Sequence, residues 1–359
     1  MIKKGNLSAS LLNWLMSTLQ LGPGIGDVFY AVPAASSTSK YRQWLANDLR
    51  VPGDHIFTTP ALAYAAATGD RNDVVLVYPG LYTAIATLDW EKDHTHLIGL
   101  GGPNILGRMN RPNTMIYTNT EGVDYTIHLT GDFCQFHNVM LGNGTGTSAE
   151  AGSGANLTEA NKSAFLLAGH GNYLKRVAFR GLGSALQIAS SLCSSLEIGD
   201  GAGESEFDEC IVGVNSYGTN RTLQAQGQLL FSANPASPPS PSDIVFKDTR
   251  FLSRSEIAAV VMVYFASVIG TDRCLDFIRC HFDNYSANWA VALTQVFGKS
   301  TQAHQATNIN LRDCTHRGFT YWADPADTTN VVGAAGSMIQ SNMPASAANG
   351  GKMVTASTT

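Results

Sequence analysis

The chain has 359 residues, a formal net charge of −5 and 14% charged residues, against roughly 25% in an average soluble domain. Without a surplus of Lys and Arg it is not expected to bind a phosphate backbone or an anionic membrane surface. Its longest apolar run, 257–269, falls short of the roughly 20 residues needed to cross a bilayer.

The first 60 residues read as an N-terminal cap. Ser8 or Ser10 can cap a helix running to Leu19, in which Leu11, Leu12, Leu15 and Leu19 form an apolar stripe beside Trp14, and Gly22-Pro23-Gly24 ends it. Lys3 and Lys4 precede this run, but Asn13 and Ser17 interrupt it and no clean small-residue cleavage site follows, which favours an amphipathic helix over a signal peptide. Residues 28–32 read as a strand, and 40–49 as a second helix closed by Val51-Pro52-Gly53, because the residue before a proline disfavours the helical region. Thr58 or Thr59 then caps a short Ala-rich helix over 61–68 with Pro60 at its first position. A continuous apolar strand at 73–78 ends in Pro79-Gly80-Leu81-Tyr82, and a further short strand from His96 closes at Gly101-Gly102.

A repeat follows. Six hexapeptides align without gaps, beginning at Phe136, Leu174, Phe207, Phe246, Phe277 and Leu311. The first position is Phe or Leu, the third polar or charged, the fourth Val, Thr or Cys, and the sixth apolar except at His316. The spacings of 38, 33, 39, 31 and 34 residues suit a solenoid that keeps its strands and varies its loops. Each unit carries a second apolar run, at 125–129, 164–168, 185–188, 228–231, 258–265 and 290–296. Inward-facing first and fourth positions on either side of a bend would stack into an internal ladder, placing Cys210, Cys280 and Cys314 in the core as small hydrophobes. None of the six cysteines forms a C-x-x-C pair, so neither a zinc site nor a redox motif is suggested.

Taken in order, the helix at 61–68, the run Asp73-Val74-Val75-Leu76-Val77-Tyr78-Pro79-Gly80-Leu81-Tyr82 and the run from His96 to Gly102 resemble the opening of a pectin-lyase-like β-helix, as in β-helix proteins of tailed bacteriophage virions. The resemblance spans residues 26–320. It implies an all-β chain, a single-stranded right-handed parallel β-helix (solenoid) over 61–322 with a small α-helical cap at 1–60; residues 323–359, rich in Ala, Ser, Thr, Asn and Gly and without aromatics, read on composition as a low-complexity tail that assembly contacts would have to order. It also implies a virion component of the capsid decoration or cement, head fibre or tailspike type, commonly a trimer, assembled in the host cytoplasm.

Because this fold also carries pectate lyases and polygalacturonases, a site has to be sought. Gly169-His170-Gly171 matches a loop of galacturonan hydrolases, but 132–141 has no Asp-Asp and no Arg-x-Lys element follows. Glu204, Glu206, Asp208 and Glu209 could line one acidic surface able to hold calcium, with Asp272 and Asp276 the next densest group, and His94 and His96 could share one side of a strand. There is no Gly-x-Ser-x-Gly elbow, and Gly298-Lys299-Ser300 lacks the first glycine of a phosphate-binding loop. The long loops 142–160 and 232–242 are better placed to meet a partner.

The sequence therefore leads to the expectation of a non-enzymatic virion protein decorating a capsid, with no catalytic, metal-binding or cofactor-binding residues. Leu11, Leu12, Trp14, Leu15 and Leu19 are the candidate contact with other virion proteins, foremost the major capsid protein, or with the solenoid's own end. The alternative is a tailspike-like or secreted polysaccharide lyase or hydrolase acting through a groove on the solenoid side, with Trp289 or Trp322 as aromatic platforms.

Overall fold

The computed structural model describes residues 26–33, 39–101, 114–144, 162–181, 193–213, 227–232, 241–253, 255, 258–266, 272–285, 293–299, 308–322 and 339–341. Over these the chain winds as a right-handed parallel β-helix with three long sheets of eleven, eight and seven strands, here A, B and C, and a further two-stranded pair. Each full coil visits the sheets in that order; Tyr173–Lys175, Ala178–Arg180 and Ser194–Ile198 make one coil, and each pairs in parallel with its counterparts above and below. A right-handed crossover is the sense that strand twist imposes on parallel connections.

The six hexapeptides are the corner between sheets A and B. Their first residues, from Phe136 to Leu311, stand in register on sheet A, and their sixth residues, Leu141, Phe179, Val212, Phe251, Phe282 and His316, on sheet B. The two residues between the strands turn the chain, and the first of them, Asn138, Arg176, Glu209, Asp248, Arg279 or Asp313, has a positive φ of 47–55°. This explains the polar third position. The left-handed conformation disfavours β-branched side chains and turns this residue to solvent, where Arg176 pairs with Glu209 at 2.6 Å and Arg279 with Asp248 in the next coil. The fourth residue points inward, so Cys210, Cys280 and Cys314 are buried with Val139, Val177 and Thr249.

One apolar core runs the length of the solenoid. Like residues stack at the spacing of neighbouring strands: Phe207 on Phe246 at 4.7 Å, Phe246 on Phe277 at 5.1 Å, and Phe251 on Phe282 at 4.6 Å between ring centroids. Each fully buried ring contributes about 1.5–3 kcal/mol relative to exposure.

Helix α1 (Ser39–Asn47) lies on the outer face of sheet A, where Leu45 meets Tyr30, Leu76, Tyr78 and Ile98. Helix α2 (Pro60–Ala66), capped by Thr59 Oγ1 accepting from the Leu62 amide at 3.2 Å, closes the end of the coil with Ala63 and Tyr64. Tyr64 stacks on Trp90 at 4.1 Å, and its hydroxyl accepts from the Glu91 and Lys92 amides at 2.6 and 2.8 Å. Lys92 Nζ donates in turn to the carbonyls of Tyr64, Ala65 and Ala67 at the C-terminus of α2, the end where a cation is favoured by the helix dipole.

Some elements differ from the sequence expectation. The apolar run 185–188 lies outside the described residues, and sheet C takes Ser194–Ile198 in that coil instead. In the run 290–296, Leu293–Gln295 pairs with Phe319–Tyr321, whereas Phe297–Lys299 joins sheet C. Cys274 is exposed, unlike the other five cysteines. Ile339–Ser341 adds a strand to sheet A beyond Arg312. Leu11, Leu12, Trp14, Leu15 and Leu19 lie outside the described residues, as do Trp289 and most of the loops 142–160 and 232–242.

Candidate active site

Alternation along the strands of sheet C turns Ile127, Phe165, Leu196, Leu229, Val263 and Phe297 into the core, and the residue after each one outward. The outward column runs Asp89, His128, Leu166, Glu197, Leu230, Tyr264. Glu197 stands at its middle and is only 6% exposed.

Hydroxyls surround that carboxyl. Ser232 Oγ and Tyr125 Oη (3.4 Å) donate to Oε1, and Ser163 Oγ lies 3.0 Å from Oε2. The adjacent cation, Lys162, is bound to Asp124 at 2.7 Å. Burial is the largest influence on Glu197 and raises its pKa above the ordinary carboxyl range; the hydroxyls and Lys162 pull the other way and lose.

A count of hydrogens points in the same direction. Ser163 Oγ is 2.9 Å from Ser194 Oγ, and Ser194 Oγ donates to the Leu196 carbonyl at 2.9 Å. With Glu197 ionised, the contacts Glu197–Ser163, Ser163–Ser194 and Ser194–Leu196 need three hydrogens from two hydroxyls. A proton on Oε2 completes the chain: Glu197 donates to Ser163, Ser163 to Ser194, and Ser194 to the carbonyl. Oε1 is then the carbonyl oxygen, receiving Ser232 and Tyr125. Ser163 is fully buried whereas Tyr125 and Ser232 are half-buried, so the carboxyl is approached past Oε1.

Two strands away in the same column, His128 Nδ1 is 3.3 Å from Asp89 Oδ1, and the Tyr125 ring lies 5.8 Å from the imidazole. In the neutral tautomer that donates from Nδ1 to Asp89, Nε2 carries the lone pair. Asn143, fully buried, fixes Asp124, just before the strand Tyr125–Leu129, against this sheet by donating to the carbonyls of Asp124 and Ser163 at 2.9 and 2.8 Å.

The candidates weighed from sequence lie elsewhere. His170 sits at the corner between sheets C and A, its amide donating to Asp132 Oδ1 at 2.7 Å. The four acidic residues are split up: Glu204 and Glu209 occupy positive-φ corner positions, and Glu206 and Asp208 face outward on sheet A. Each has a basic neighbour, respectively Arg273, Arg176, Lys247 and Lys175. His94 stacks on Phe133 at 5.2 Å, while His96 is buried, its Nδ1 accepting from the Gln135 amide and Nε2 facing Asn72 Oδ1 at 3.2 Å. Burial holds His96 at about 3, hence neutral. Among the described residues no group of three His, Cys, Asp or Glu is placed to hold a metal ion, and no helix is long and apolar enough to cross a membrane. Trp322 is buried at the end of the core. Sequence reasoning missed Glu197 because its strand, Ser194-Ser195-Leu196-Glu197-Ile198, reads as polar. The available signal was the period-two alternation of Leu196 and Ile198 around it.

No family model and no curated protein sequence matches the chain. Solved structures do. A pectin methylesterase in complex with a hexasaccharide superposes with a TM-score of 0.56 at 14% identity, covering 93% of this chain and 94% of its own. The pectin methylesterase PemA from Erwinia chrysanthemi gives 0.54 at 12% identity over 92% and 94%. A Geobacillus virus E2 protein, ORF18, gives 0.38 at 9% identity over 80% and 56%, too low to support an argument. At these identities the likeness is one of fold, the pectin-lyase-like right-handed parallel β-helix. It corrects one expectation: the two pectin methylesterases that superpose along nearly the whole chain are enzymes, so the non-enzymatic reading is withdrawn.

Proposed function

We propose that the chain is a polysaccharide-processing β-helix enzyme that works through the outer face of sheet C, with Glu197 as general acid. The observation that carries this is a nearly enclosed carboxyl on the outer side of the solenoid, ringed by Ser163, Ser232 and Tyr125 and one hydrogen short unless it is protonated. A carboxylic acid whose pKa burial has raised is suited to protonating a leaving oxygen. Hydrolysis balances as follows. A half-turn of the carboxyl about its Cγ–Cδ bond exchanges the two oxygens and carries the proton from the Ser163 side to the side of approach; as the bond between the anomeric carbon and the glycosidic oxygen breaks, that oxygen keeps the electron pair and takes this proton. Water bonds to the carbon and gives its proton to His128 Nε2, and exchange with solvent restores both groups. His128 is two strand spacings from Glu197, roughly 10 Å, which leaves room for a sugar unit and a water; hydrolases that invert use comparable separations between their paired groups.

Two further facts support the reading. A structural neighbour holds a hexasaccharide on the same architecture, and the opening of the sequence resembles virion β-helices, among which a tailspike-borne enzyme is the fitting type. The test is release of reducing ends from a panel of polysaccharides. Wild-type protein should cleave at least one, and Glu197→Gln should lower the rate by about 10²–10⁴-fold while folding normally. Wild-type inactivity across the panel, or an unimpaired variant, would refute the assignment.

A further inference from the structure

We infer that the glycan taken by the outer face of sheet C is uncharged rather than a polyuronate, an inference that rests on the reading of this face as a glycan site. It follows from the charges along the column. Glu197 bears no charge when the hydrogen-bond chain from Oε2 through Ser163 and Ser194 to the Leu196 carbonyl is complete. Its neighbours in the column are half-buried Leu166 and fully buried Leu230, with half-buried Tyr264 one strand further, so the apolar surface this face offers is that of Leu166 and the Tyr264 ring. Pyranose rings present apolar C–H faces to such surface and leave their hydroxyls for the hydroxyl groups around Glu197.

Among the described residues of this face, ionised groups stand toward the Asp89 end and the flanking loop, and there the balance is negative. Side chains of Asp89 and Asp124 are 64% and 45% exposed, Lys162 is neutralised by Asp124 at 2.7 Å, and His128 is turned to Asp89 at 3.3 Å. Among the described residues of this face, no cation is left over for a carboxylate on each sugar. A polyuronate laid along the column would bring its charges to Asp89 and Asp124 without a counter-ion, and like-charge juxtaposition opposes binding. From Asp89 to Tyr264 the column covers five strand spacings, roughly 24 Å, enough for several sugar units parallel to the solenoid axis.

The experiment compares retention of the full-length protein in affinity electrophoresis by polygalacturonate and by its fully methyl-esterified form, which share a backbone and differ in charge, beside a panel of neutral polysaccharides. The inference expects a neutral polymer to retain the protein at least tenfold more strongly than polygalacturonate. Tyr264→Ala should weaken that retention about tenfold. Asp124→Asn, which leaves Lys162 without its partner, should raise retention by polygalacturonate several-fold, and high salt should abolish the gain. Stronger retention by polygalacturonate, weakened by salt and by Glu197→Gln, would overturn the charge inference and leave the site standing. Neutral retention indifferent to both Tyr264→Ala and Glu197→Gln would overturn the site, and retention by no polymer would overturn both.

Discussion

Ser163 and Glu197 occupy neighbouring strands of sheet C with Oγ and Oε2 3.0 Å apart, and the chain of contacts from this pair through Ser194 to the Leu196 carbonyl is complete only when the carboxyl carries its proton. The native state then binds that proton more tightly than the unfolded chain, where Glu titrates near 4.3. Below that value both states are protonated and the contribution is fully present. As pH rises toward the raised folded-state value, the native state alone still holds the proton, and stability falls. Thermal melts between pH 4 and 8 should therefore show a decline that Glu197→Gln removes. A pH profile identical in the two proteins would mean that Glu197 is ionised in the fold.

The stacked ring at Phe246 touches Phe207, Phe277 and Phe251 and is fully buried. Phe246→Ala should cost about 3–5 kcal/mol, because neighbouring coils are held by their own strand pairing and collapse only partly into the space. Denaturant unfolding checks this, with Phe133→Ala, at an exposed corner, as a comparison expected to cost clearly less. Equal losses at the two sites would argue against the ladder as the main source of stability.

The plug at the N-terminal end depends on one hydroxyl. Tyr64 Oη accepts two backbone amides, of Glu91 and Lys92, beneath α2. Tyr64→Phe keeps the stack on Trp90 but leaves two donors without acceptors, at about 1–3 kcal/mol for each that water cannot reach. Hydrogen exchange should show faster exchange at the Glu91 and Lys92 amides than in wild type, with amides around Phe277 unchanged.

The solenoid was legible because its constraint is local and recurs. At the A-to-B corner an inward aromatic, a left-handed polar residue and a small inward residue fall within four positions, and stacking forces like residues into register, so Phe207, Phe246 and Phe277 could be aligned by eye. The site was not legible for the opposite reason. Glu197 draws on Tyr125, Ser163 and Ser232, from three other coils and as many as 72 residues away, and each is an ordinary residue in its own segment. His170, by contrast, looked informative only because two glycines flank it, and the fold uses it at a corner. Acidic residues adjacent in sequence were separated by the pleat and by the positive φ at Glu204 and Glu209.

Asp89 is the residue best suited to separate catalysis from folding. Its side chain is 64% exposed and, among the described residues, touches the site through His128 Nδ1 at 3.3 Å, so Asp89→Asn should change stability by no more than about 0.5 kcal/mol. An amide can donate to Nδ1, which moves the imidazole proton to Nε2 and removes the lone pair that would accept a proton from water. On a polysaccharide that wild type cleaves, kcat should fall by about 10²-fold or more with KM little changed, and Asp89→Glu, which keeps an acceptor, should restore part of the rate. A fall in kcat that Asp89→Glu does not relieve, or a rise in KM with kcat intact, would assign Asp89 to substrate binding and leave Glu197 without its partner base.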